Sequence, residues 1–448
     1  MIGASLSRWT MSYFAAALLA LLLAQALMAV GYGFPHVPVE SPQTLVVVHL
    51  AVLGWLSLLM CGALFQFVPV LIARPLYSDA APLPALVCLV SGLVALLLGF
   101  LALEGRIAAT PSFLAAASPL LSVGFALVLG NLLVTLLKGR PLPIPARFVV
   151  VGLASLALTA ALGVTFALVR GGIADEEHLV ELASEGIPIH AIAGLGGWLG
   201  FCAMGVSYKL LAMFMLAPEL DRRGSRAAFF LGTCALLIVV PGAVVAVWLG
   251  GSRDLVLLAA GALGLGAMAF YGRDILHVYR ARKRRTIELN ARMATLAFVS
   301  LAAAVLLAVI ATLLSEMQRY SAPIAFLFAF GWLSGLGLAK LYKIVAFLTW
   351  LECYGPVLGK MPTPRVQDLV VEPRAGKWFL LYFIAVWLGA AALVFGYPGA
   401  FQAAAAVMLV ATVGIVGELV RVRLLADVPE AGLPAGVPRP PMLWSAAQ

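Results

Sequence analysis

Gly54-Trp55, Gly197-Trp198 and Gly331-Trp332 decide how this chain is read. Aligned on the tryptophans, the chain repeats itself. Seven residues on stand Gly62, Gly205 and Ala339, all small. Ten residues on stand Phe65, Tyr208 and Tyr342, all aromatic, and eleven on stand Gln66, Lys209 and Lys343, all polar in apolar surroundings. The tryptophans are 143 and 134 residues apart, and each interval holds four long apolar stretches. Self-similarity of such a period points to duplicated architecture. The boundaries it implies are repeats of about 1–140, 141–286 and 287–425, then a Pro-rich tail over 426–448, all within one membrane domain 1–448.

Outward from these pairs the whole chain is apolar. Of 448 residues, 63% are hydrophobic and 11% charged, with a mean hydropathy of +1.06. That balance excludes a soluble globular protein. About twelve stretches, the first starting near Trp9 and the last ending near Leu424, are long enough to cross the roughly 30 Å hydrocarbon core. The expected fold class is therefore all-α: a polytopic membrane protein of about twelve helices in three four-helix repeats. The net charge of +9 invites a nucleic-acid reading, but its placement argues for a bilayer partner and no nucleic acid. Arg8, Arg74, Lys138, Arg140, Arg222, Arg223, the Arg280–Arg285 cluster, Lys360, Arg374 and Arg421 fall on one side. Only Arg106, Arg170, Arg253 and Arg319 fall on the other. This bias places both termini in the cytoplasm of a bacterial inner-membrane protein. Ala24-Gln25-Ala26 resembles a cleavage site, so 1–26 reads either as a signal peptide or as a retained first helix. Its apolar run exceeds a signal core, and one span fewer would break the pattern of fours.

Ionisable side chains inside spans are the default functional candidates. His49 stands six residues before Trp55, and His190 eight before Trp198. Both lie in the outer third of inward-running helices at similar depth, where equivalent helices would bring them toward a shared cavity. Neutral imidazole ligates heme iron and copper and tolerates apolar surroundings, so His49 and His190 are the candidate cofactor and metal ligands. A structural alternative stands beside this: each ring hydrogen-bonds a carbonyl or hydroxyl of the bundle. His36 and His178 read as outer-loop residues and His277 as interfacial. Asp175-Glu176-Glu177-His178 reads as a solvated outer loop, and Glu352 and Glu418, near cytoplasmic helix ends, as interfacial carboxylates, with the start of a proton path as the alternative. The lysines of the repeat read as snorkelling anchors. Cys61, Cys202, Met204 and Met213 suit Cu(I) by softness but read as packing residues. With no Cys-x-x-Cys, the five cysteines form no zinc or disulfide framework.

Twelve spans in three fours, with metal-capable histidines near the outer side, resemble subunit I of the heme-copper oxidase superfamily. The segment from Val47-Val48-His49-Leu50 to Phe67-Val68-Pro69-Val70-Leu71-Ile72 is similar to that family's second helix, whose histidine is an axial ligand of the low-spin heme. Ser207-Tyr208-Lys209-Leu210 and Leu341-Tyr342-Lys343-Ile344 resemble short subunit-I-like proteins of the cbb3 type or NnrS-like kind. The resemblance implies heme b or copper as cofactor and a redox partner protein or oxidase subunit as partner. It also implies roles in electron transfer, nitric-oxide-related chemistry or oxidase biogenesis. The departures are as informative. Ile324 and Phe326 stand where the family's tenth helix carries His-x-His. Gly194, not tyrosine, follows His190 by four residues, and no paired histidines follow Phe229-Phe230. A ligand set this reduced implies no oxygen reduction. A cofactor-free transporter or structural subunit on the same scaffold is the alternative.

Overall fold

The structure, a computed structural model, describes residues 8–108, 110–219, 223–249, 254–360, 362–428 and 440–444. Arg222 and Arg253 of the charge bias, residues 1–7 of the first apolar segment, and 429–439 and 445–448 of the tail lie outside the described residues. The described chain is all-helical. Twelve of its helices are long and apolar enough to cross a membrane: α1 (Thr10–Ala29), α2 (Pro42–Ile72), α3 (Pro82–Leu103), α4 (Phe113–Lys138), α5 (Ile144–Arg170), α6 (Ile187–Met215), α7 (Arg223–Ala246), α8 (Leu255–Arg280), α9 (Leu289–Leu313), α10 (Met317–Val357), α11 (Glu372–Phe395) and α12 (Pro398–Arg423).

Lipid offers no hydrogen bonds, so each span must satisfy its own backbone, and the helix does so within one segment. The starts carry local signals. Proline occupies the first turn of α2, α3, α11 and α12, where the missing N–H costs nothing. Ser41 caps α2, its hydroxyl accepting from the Thr44 N–H at 3.3 Å. Gly396 stops α11 in the left-handed region at φ +72°. Large apolar side chains in mid-span, such as Leu19 and Leu237, are 60% and 64% exposed, as a lipid-facing surface requires.

The contacts gather the chain into two compact units, Met1–Gly62 with Thr286–Gln448, and Ala63–Arg285. In the first, α1 packs along α2 and α12, and α9 packs along α10. In the second, α3 pairs with α4, α5 with α6, and α7 with α8. Each Gly-Trp pair sits in a π-helical run: Leu50–Ser57, Ile192–Gly200 and Leu327–Ser334. Two of these glycines make close contacts. A Cβ on Gly197 would lie 2.6 Å from the Cβ of Ser155 on α5, and one on Gly331 would lie 2.6 Å from that of Ser300 on α9. Backbones meeting this closely are how membrane helices pack where the hydrophobic effect cannot drive them. Trp55, Trp198 and Trp332 are 0%, 1% and 0% exposed. The wider π turn gives each indole room beside that contact. In the first unit the Trp55 indole N–H donates to Ser334 Oγ at 2.8 Å, and that hydroxyl donates to the Ala329 carbonyl at 2.7 Å. Packing is thus one role of the pairs.

The segment read as a solvated loop is in part a short helix, Glu177–Glu185. It remains exposed at Asp175, Glu176, Glu177 and His178. Glu177 in its first turn faces the positive end of the helix dipole, which is what lets so acidic a stretch coil.

Candidate cofactor histidines

His49 is the last α-helical residue before the first π run. Its Nδ1 lies 2.8 Å from the carbonyl oxygen of Leu45, one turn back. A carbonyl only accepts, so Nδ1 carries the proton and Nε2 of the neutral ring keeps its lone pair. Metal-bound histidines are commonly held in this way, with the second nitrogen donating to a backbone carbonyl. His190 lies within the turn Ile187–Ala191 that leads into the second π run. Its ring packs on Phe166 at a centroid distance of 5.6 Å. A Cβ on Gly163 would stand 3.1 Å from His190 Cε1, so the glycine on α5 makes the space the imidazole fills. Both histidines are half-buried.

The two rings belong to different units, and each is placed by its own helix. Measured from the tryptophans, they differ by two residues. They therefore do not hold equivalent positions in the repeat. Among the described residues, no three His, Cys, Asp or Glu side chains gather as a metal cluster. His178 stacks near Trp248 at 5.8 Å. Cys61 and Cys202 are fully buried, and Cys202 Sγ fills the close approach to Gly152. Met213 is 44% exposed. Phe326 is buried against Phe330 and Phe401, at centroid distances of 5.0 and 5.4 Å, and against Gly389. It is an aromatic filler of the α10–α12 packing.

Sequence reasoning passed over Gln25, which it met only as part of a cleavage-like tripeptide. Gln25 is 0% exposed, and neither its Oε1 nor its Nε2 has a protein partner. Leaving such a group dry costs about 1–3 kcal/mol, enough to make a polar occupant nearby the expected state. Its level follows from helix geometry. The first helix α1 meets α2 where Gly62 abuts Tyr13, at 2.6 Å for an added Cβ. About 18–20 Å along the two antiparallel helices, at 1.5 Å per residue, stand Gln25 and His49. A glutamine amid Leu21, Ala24 and Met28, all buried, was the available signal.

At the opposite end of the spans the carboxylates depart from the sequence reading. Glu418 is buried, 5% exposed, rather than interfacial. Arg374 binds it in a fork at 2.6 and 2.8 Å and reaches Asp427 at 2.6 Å. Glu352 pairs with the buried Arg423 at 3.2 Å. Charges this buried must be paired. Lys343 likewise does not snorkel freely: its Nζ is 2.9 Å from Glu288, with side chains 15% and 13% exposed. Lys209 pairs with Glu219. Asp427, just beyond α12, has its carboxyl lowered to about 2 by hydrogen bonds from Arg374 and then Arg421.

No protein-family model matches the chain. No curated protein sequence matches it either. Among solved structures, the fold is similar to that of a heme-copper terminal oxidase dimer determined by cryo-EM. The TM-score is 0.66 at 12% sequence identity, and the match covers 98% of this chain and 86% of the oxidase chain. At that identity the likeness establishes the heme-copper oxidase fold.

Proposed function

We propose, from the heme-copper oxidase fold, that this chain binds heme b or copper through His49 and His190 and works in electron transfer, nitric-oxide-related chemistry or oxidase biogenesis without reducing oxygen. The observation that carries the proposal is His49. Its Nδ1–H is engaged by the Leu45 carbonyl, so the ring is oriented and Nε2 is the basic nitrogen. Gln25 at the same level supplies an amide that needs a polar partner. Gly163 leaves the space that His190 fills. A bound heme or copper supplies a one-electron couple. The chain's own residues hold the His49 imidazole in one tautomer through the Leu45 carbonyl and seat the His190 ring against Phe166 and Gly163. Ile324 and Phe326 offer no donor where the resembled family has two histidines. The ligands that oxygen reduction needs are therefore not supplied on α10. The Lys/Arg asymmetry supports a bacterial inner membrane with both termini cytoplasmic.

The second reading, a cofactor-free transporter or structural subunit, rests on Phe326. It packs as a hydrophobic residue where a cofactor ligand would stand. The spectrum and metal content of the purified protein separate the two. The first reading expects a Soret band with sharp reduced α and β bands, or stoichiometric copper, lost in His49→Ala and kept in His36→Ala. It also expects membranes given reduced quinol or cytochrome c to consume oxygen at the background rate. Colourless, copper-free protein favours the second reading. Cyanide-sensitive consumption that needs His49 would overturn the claim about oxygen.

A further inference from the structure

The first unit holds a polar pocket that neither histidine explains. The start of α9, the second half of α10, the segment 366–370 and the start of α11 enclose a cavity of about 10 Å³. That is close to the smallest volume that holds one water. Glu288, Asn290, Tyr342, Lys343, Gln367 and Glu372 line it. Tyr342 is 3% exposed, and its hydroxyl has no hydrogen-bond partner in the protein. A buried hydroxyl without a partner costs about 1–3 kcal/mol, and a polar cavity of this size is where an ordered water removes that cost.

The pocket also connects two environments. On its outer edge Glu372, with a side chain 30% exposed, accepts from the Leu289 N–H at 2.9 Å and from Arg292 at 3.2 Å. On its inner edge Glu288 holds Lys343 at 2.9 Å and Asn290 Nδ2 at 3.1 Å. The Asn290 Oδ1 is in turn 3.5 Å from Nζ of Lys340, which is 6% exposed. Lysines inside spans are rare and mark ion or proton routes. The charged and titratable groups nearby are Tyr342 and Lys343 on α10, Glu288 and Arg292 at α9, Glu372 and Arg374 on α11, Glu418 on α12 and Asp427 just beyond it.

We propose that this pocket binds a water that hydrogen-bonds the Tyr342 hydroxyl, and that the hydrated site, continued through Glu288 and Asn290, keeps the buried Lys340 in proton exchange with the aqueous phase at that end of the molecule. The ligand is water and the exchanged species is the proton. No net charge moves: water drawn from the hydrated site takes a proton from the Lys340 ammonium as another is returned, while Asn290 Oδ1 holds the ammonium at 3.5 Å and is not itself protonated.

Two measurements on the full-length protein in detergent test it. X-ray pulses generate hydroxyl radicals from bound as well as bulk water. Tyr342 should gain oxygen within tenfold of the rate at Tyr77 and Tyr397, which are 57% and 65% exposed. Tyr13 and Tyr382, both 0% exposed, should lag at least tenfold behind it. Labelling of Tyr342 as slow as that of Tyr13 and Tyr382 overturns the water site. In protein carrying ¹³Cε-lysine, transfer to D₂O should shift the Lys340 resonance, assigned by its loss in Lys340→Arg, within the first spectrum. Asn290→Leu should slow that shift at least tenfold. A wild-type Lys340 that keeps its protons for hours overturns the exchange route, even with Tyr342 labelled.

Discussion

The halves of α6 and α10 that follow their tryptophans begin alike and end differently. Each has its Gly-Trp pair in a π run against a serine of the preceding helix, Ser155 or Ser300. Ten residues later each has a buried tyrosine followed by a lysine. In the second unit the Tyr208 hydroxyl donates to Asp274 Oδ2 at 3.2 Å, and Lys209 reaches Glu219, whose side chain is 75% exposed. In the first unit Tyr342 faces a cavity, and Lys343 is held by a nearly buried Glu288. The third copy, Phe65-Gln66, has no hydroxyl there at all. The helix motif therefore sets which groups arrive at this level. The neighbouring helices decide what the groups do: α8 contributes a carboxylate that completes Tyr208, whereas α9 and α11 contribute a polar cavity that leaves Tyr342 open to a water.

The largest contrast lies in the ion pairs. Arg374 neutralises Glu418 and Asp427 in the first unit. Arg374→Ala should lower stability by about 3 kcal/mol, the low end for stranding a buried carboxylate because the arginine is itself partly exposed. The readout is thermal unfolding in detergent, and a loss below about 1 kcal/mol would mean that the network is held together by something other than this arginine.

The tyrosines test the comparison directly. Tyr208→Phe removes the donor that Asp274 uses and should cost about 1–2 kcal/mol. Tyr342→Phe removes a hydroxyl whose only prospective partner is water and should cost less than about 0.5 kcal/mol. Equal costs would erase the distinction between the two seats.

The smallest effect is on acid stability. Asp427 titrates near about 2 in the folded protein, against about 3.9 in an unfolded chain. Its contribution is complete above pH about 4 and disappears as the pH falls through about 2. Asp427→Asn should lower stability at pH 7 while flattening this part of the acid denaturation curve. An unchanged slope between pH 4 and pH 2 would show that Asp427 gains nothing from Arg374 and Arg421.

The sequence by itself determined the membrane class and the twelve spans. Apolar segments of bilayer length have only one way to satisfy their backbone in lipid, so their hydropathy is already a structural statement. It also marked the Gly-Trp pairs, because small residues beside a large aromatic leave a pattern that survives in composition. It singled out His49 and His190, since ionisable groups in such segments are rare. What it did not contain was the partner of each polar group. The seating of Gly197 on Ser155 and of Gly331 on Ser300 depends on how the helices pack. Glu418 reads as interfacial until Arg374 folds over it, and Gln25 as half of a cleavage signal until Tyr13 against Gly62 sets its level beside His49. Hydropathy is additive along the chain and can be read locally. The pairing of a buried donor or acceptor depends on residues tens to hundreds of positions away, and only the packed tertiary structure brings those together.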